Sequence, residues 1–157
     1  MKKRKTSKAP FLRFLFVLYC AVMLWLLFGR NYGWVDGLNY EQMLRQNVNL
    51  TPLLTIRNYW STMLHSTDQQ KFQHCMINLV GNVVLFIPAG WLLPRLWCRF
   101  RNFFLFLITC VLAILLIEAL QLFTLLGSFD VDDIILNLSG MTLGYVIYMI
   151  GSAIRKS

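Results

Sequence analysis

Charge is what this chain lacks. Of its 157 residues 14% are charged and 57% are hydrophobic, far from the balance of a water-soluble globular protein. Acids are the scarcest: seven Asp and Glu stand against fifteen Lys and Arg, for a net charge of +8. The four cysteines, Cys20, Cys75, Cys98 and Cys110, show no C-x-x-C spacing. Scattered along apolar stretches, they read as packing residues. The two histidines, His65 and His74, have no partner at metal-ligand spacing, so no zinc site is implied. No glycine-rich phosphate loop opens a helix and no nucleophile elbow is visible, so no cofactor is implied either. Internal repeats and low-complexity tracts are also missing.

What the chain has instead is long apolar runs. Four are long enough to span a bilayer, which takes roughly 20 residues at ~1.5 Å rise each. They lie at about 11–29, 74–97, 102–126 and 134–154. The expected fold is an all-α integral membrane bundle of four transmembrane helices. The first run follows a basic leader, residues 1–10, but "LLFGRNYGW" offers no small-x-small cleavage site. It reads as an uncleaved anchor rather than a secretory signal.

The direction of the helices follows from charge. Lys2, Lys3, Arg4, Lys5, Lys8, Arg13, Arg95, Arg99, Arg101, Arg155 and Lys156 fall in the N-terminal tail, the 95–101 loop and the C-terminal tail, with no acid among them. By the positive-inside rule both termini are expected in the cytoplasm. The positive charge is thus a topology signal with possible anionic-lipid contact, and no nucleic-acid partner is expected. The 30–73 segment becomes an extracytoplasmic loop, too small for a catalytic domain but large enough to cap the bundle. Within it "YEQMLRQN" suggests a short helix and "STDQQ" a helix start. The glycosylation-type triplets at Asn49 and Asn137 are discounted, since the second lies inside a span.

Inside a bilayer the polar side chains carry the information. The second span holds Asn78 and Asn82, four apart and on one face, then Pro88 and Gly90. The proline is expected to kink that helix. The third holds Glu118 and Gln121, three apart and neighbours. The fourth opens on Asp130, Asp132 and Asp133 and carries Asn137. With the expected topology, Asn82, Glu118 and Asn137 each lie roughly 5–12 Å from the outer end of their helix. At 100° per residue, Asp130, Asp133, Asn137, Gly140, Gly144 and Gly151 fall within an arc of about 80°. Asp132 points elsewhere, to a cap or to water. A G-x-x-x-G stripe lets another helix come close, so the same face would carry the acids inward.

Each feature also has a plain structural reading. The aspartates can cap a helix, the asparagines and Gln121 can be interhelical hydrogen-bond glue, and the glycines can be packing. Glu118 resists this most: a carboxylate at that depth costs around 3 kcal/mol on insertion scales. It must be protonated, hydrogen-bonded or facing a wet cavity.

Taken together, "NLVGNVVLFIPAG", "EALQ" and "SFDVDDIILNLSGMTLGY" resemble the motifs of the VanZ-like membrane family. "NLTPLLTI" (49–56) is similar to a further segment of that family, with Leu53 where phenylalanine is usual. The resemblance covers about residues 45–150. It implies a small bacterial multi-span protein of the cell membrane, and the family's founding member is linked to low-level teicoplanin resistance. It carries over no catalytic residues.

The resulting expectation is an outward-facing polar pocket formed by Asn78, Asn82, Glu118, Gln121, Asp130, Asp133 and Asn137. Pro88, Gly90, Gly140 and Gly144 would serve helix packing, and Arg57 with "NLTPLLTI" would form a lid. Glu118 would be the central acid and Gln121 its hydrogen-bond neighbour. The partners implied are membrane lipids and a cell-envelope precursor or glycopeptide ligand. This reading favours a binding protein over an enzyme. The alternatives are a membrane enzyme acting on lipid-linked cell-wall intermediates and a structural partner subunit.

Overall fold

A computed structural model describes residues 8–29 and 37–155. Among them are six α-helices: α1 Lys8–Phe28, α2 Tyr40–Gln46, α3 Leu54–His65, α4 Gln69–Leu96, α5 Phe103–Phe123 and α6 Val131–Ile154. Two short strands, β1 Val48–Asn49 and β2 Phe129–Asp130, pair in parallel. Helices α1, α4, α5 and α6 are long and apolar enough to cross a membrane. The basic residues at 2–5, Lys156 and the loop start at 30–36 lie outside the described residues.

The helix ends follow local chemistry. Asp68 caps α4 by accepting from the Gln70 and Lys71 amides, so this helix starts five residues before the expected apolar boundary. Asn102 caps α5 through the Leu105 amide. Helix α5 stops at Phe123 rather than 126, because Leu125 takes a left-handed conformation (φ 54°). The Gln121 carbonyl there accepts from the amides of both Leu126 and Gly127. Helix α6 begins at Val131, not 134, because Asp130 in extended conformation caps it, accepting from the Asp132 amide. In α2, Asn39 and Gln42 form a reciprocal capping box.

Neighbouring contacts fix the relative directions. The Phe16 ring meets Trp97 at 5.2 Å, and the Tyr145 hydroxyl donates to the Arg101 carbonyl at 2.7 Å. At the other end, Gln121 donates to the Leu27 carbonyl at 3.0 Å. Helices α4 and α6 therefore run parallel to one another and antiparallel to α1 and α5. Arg95, Arg99, Arg101 and Arg155 gather at one end, the basic end. Glu118, Asp130, Asp132 and Asp133 gather at the other, the polar end. The core between them is apolar, built on Met23, Phe86, Ala89, Phe106, Cys110, Ile114, Met141 and Tyr145.

The most extensive contact in the bundle is between α4 and α6, and glycine makes it possible. A Cβ on Gly140 would fall on the Val83 carbonyl oxygen, one on Gly90 on the Met141 carbonyl oxygen, and one on Gly144 on the Ile87 carbonyl oxygen. The two backbones touch, as small-residue stripes allow. Pro88 does not share this role: it lies on the exposed side of α4, because its position faces away from the Gly90 surface.

Tyr145 closes the basic end, with its ring packed 4.6 Å from Phe106 and 5.3 Å from Phe103. Tyr145→Phe removes only the hydrogen bond to Arg101 and is expected to cost about 1 kcal/mol. A thermal unfolding curve in detergent checks this. Tyr145→Ala also empties core volume and is expected to cost about 3–5 kcal/mol.

Candidate functional site

The three aspartates of "SFDVDD" occupy three different environments at the polar end. The chain from β1 into α3 folds back over the start of α6. Phe129 donates its amide to the Asn47 carbonyl at 2.8 Å, and β1 lies beside β2. Asp130 thereby meets Asn49 (3.2 Å) and the Thr55 hydroxyl (2.6 Å) besides capping its own helix. Its acceptor positions are well used.

Of the two readings of Asp132, a cap or water, the structure has the cap, on another helix. Asp132 does not face water: it is 0% exposed. Its two oxygens accept from the Leu53 amide at 2.5 Å and the Ile56 amide at 3.0 Å. These amides sit in the first turn of α3, whose own N-cap residue, Leu53, supplies no side-chain cap. A carboxylate from α6 thus caps α3 across the fold. It satisfies donors that the α3 sequence leaves open and complements that helix's positive end. Leu53 is held at φ 64°, a conformation disfavoured for a side chain of its size.

Asp133 turns the other way. Asn82 of α4 donates to it at 2.5 Å, and among the described residues nothing donates to its second oxygen. Glu118 is 2% exposed. One of its oxygens accepts from the Asp130 amide at 3.4 Å, and the other has no donor among the described residues. The charges of Asp133 and Asp130 act on it. Gln121 is not its hydrogen-bond neighbour, because that amide is committed to Leu27 on α1.

A cavity of about 300 Å3 opens among these groups. Asn78, Asn82, Gln121, Asp130 and Asp133 line it, together with Thr55, Tyr59, His74 and Ser128. Glu118 and Asn137 do not line it. Asn137 is 2% exposed, and its Oδ1 has no partner among the described residues. Asn78 donates to the His74 carbonyl at 2.7 Å, and the His74 ring meets Tyr59 edge-on at 5.9 Å. Arg57 is exposed and is not part of the wall. Thr55 and Tyr59, one helical turn apart on α3, take that place. They, His74 and Ser128 are polar lining residues that sequence reasoning missed. Asn49 and Thr55 were visible only as members of "NLTPLLTI".

The geometry joins the separate sequence motifs into one unit. Asn49 and Thr55 of "NLTPLLTI", Asn82 of the second motif, Glu118 of the third and the aspartates of the fourth lie in direct contact. The VanZ/LLP1 family model matches residues 16–152. The chain belongs to the VanZ/LLP1 family. A curated relative, Protein VanZ of Enterococcus faecium, is 29% identical over 137 residues, covering 87% of this chain and 72% of that protein. No solved structure matches. This member of the VanZ/LLP1 family is a membrane protein with four candidate spans.

Proposed function

We propose that this VanZ/LLP1 member lies in the cytoplasmic membrane with both termini inside, and that its polar end faces outward. There it binds a cell-envelope component or glycopeptide and so lowers susceptibility to teicoplanin. The observation that carries the reading is the cavity, walled by polar side chains from α3, α4 and α5 and by the start of α6. The grouping of arginines at the opposite end supports the orientation, since basic loops stay cytoplasmic. In this reading Asp130 and Asp132 hold α3 over the cavity. Asp133, with an oxygen left open, meets the ligand, and Glu118 stands behind it.

Deletion followed by teicoplanin susceptibility testing checks this. The wild-type gene is expected to restore the lower susceptibility. Asp133→Asn is expected to weaken ligand binding about tenfold, equivalent to ~1.4 kcal/mol, and to leave cells near the deletion level at an unchanged amount of membrane protein. Full restoration by Asp133→Asn together with Glu118→Gln would show that the cavity is not the working site.

A further inference from the structure

We infer that the cavity's occupant is an amphiphile with an ammonium-bearing head and a hydrocarbon chain, the head beside Asp133 and the chain in an apolar groove next to it. This rests on reading the cavity as a binding site and adds the chemical class of its ligand. Two observations carry it.

The first is charge. Asp130 and Asp133 line the cavity, and among the described residues no lysine or arginine does. The single ion pair among the described residues is Lys71–Asp68 at 3.7 Å, on the exposed start of α4. Glu118, Asp130, Asp132 and Asp133 thus share one end of a membrane bundle and form no ion pair among the described residues. Asp130 and Asp132 are supplied with donors by the fold. Among the described residues Asp133 and the buried Glu118 each have one oxygen with no donor. No three acidic, histidine or cysteine side chains among the described residues are placed to hold a metal ion together. An ammonium group, with three donors and a positive charge, matches the open oxygens. A phosphate head would face like charge.

The second is the adjoining groove, about 330 Å3, between α1, α4 and α5. Leu27 lines both spaces, so the groove adjoins the cavity at that residue. The groove wall is apolar, with Met23, Phe86 and Ile117 among its residues. Water has too few polar partners to settle there. Leu24 and Ala113 of the groove are exposed on the side of the bundle, which opens it to the bilayer. A hydrocarbon chain entering from the lipid would place its head at the carboxylates.

The test uses the full chain in phosphatidylcholine nanodiscs and two photoreactive probes. One is a hexadecyl amine and the other a hexadecyl phosphate monoester, each with a mid-chain diazirine. Crosslinked peptides are mapped by mass spectrometry. The amine is expected to label the groove residues of α1 and α5 at least about tenfold more than the phosphate. Asp133→Asn should abolish that preference, and Ala113→Phe should move the label out of the groove. If Asp133→Asn fails to fold, competition in the wild type replaces it: butylamine should reduce groove labelling by the amine probe and butanol should not. Equal groove labelling by both probes would overturn the ammonium assignment while leaving the cavity as a binding site. Labels scattered over the exposed helix faces, with neither probe in the groove, would overturn both readings.

Discussion

Asp132→Ala is expected to lower the stability of the fold by about 4 kcal/mol, since a hydrogen bond to a charged group contributes roughly 1.5–3 kcal/mol and two are lost. The loss should be local before it is global. With no carboxylate at its end, α3 has no side-chain cap, and Leu53 loses one contact that holds it in a left-handed conformation. The α3 amides are therefore expected to exchange hydrogen faster in the variant, with Leu53 and Ile56 affected most, while the α4–α6 core keeps its protection. Asp132→Asn retains one acceptor oxygen and should fall between wild type and alanine. Hydrogen exchange by mass spectrometry, with thermal unfolding in detergent, reads both effects. An unchanged α3 in Asp132→Ala would refute the capping role. A collapse of the whole bundle at once would show that α3 and the core are a single cooperative unit.

Gly144→Leu is expected to have the other large effect. A Cβ there meets the Ile87 carbonyl oxygen, the Trp91 nitrogen at 2.9 Å and the Gly90 Cα at 3.0 Å. All three are backbone, so neither helix can yield by turning a side chain. Overpacking usually costs about 1–3 kcal/mol, and a clash that separates two helix backbones should reach at least the top of that range. Even Gly144→Ala should be clearly destabilising. The control is Gly81→Ala on α4, where only the Ile77 side chain lies within reach, at 3.9 Å. It should be neutral or stabilising by up to about 1 kcal/mol through helix propensity. Equal melting temperatures for the two alanine variants would mean that α4 and α6 are not held in backbone contact.

The parts of the fold that depend on hydrocarbon were legible from the sequence. Four apolar runs became four long helices, and the glycines at 90, 140 and 144 became the contact between α4 and α6. The polar end was only partly legible, for a physical reason. Helical phase places Asp130 on the α6 face, but that residue is extended and stands outside the helix it caps. Its partners come from a returning segment more than seventy residues earlier in the chain. For Asp132 the sequence leaves a cap and water both open, and does not indicate which helix is capped, for the same reason. Its burial depends on α3 covering it, and no periodicity within residues 128–140 reports a cover supplied by residues 53–56. Gln121 likewise looked like a neighbour of Glu118 by spacing, whereas its amide reaches the end of α1. Local patterns assign a face to a side chain, but the partner on that face is a property of the tertiary fold.

The most direct test of an outward-opening site is cysteine labelling in intact cells. Ser128 is exposed and lines the cavity, and Arg99 is exposed at the basic end. In a chain with Cys20, Cys75, Cys98 and Cys110 replaced, a membrane-impermeant maleimide is expected to label Ser128→Cys from outside. Arg99→Cys should react only after the cells are permeabilised. The reverse pattern, with Arg99→Cys labelled in intact cells and Ser128→Cys protected, would place the cavity on the cytoplasmic side and contradict the proposed role.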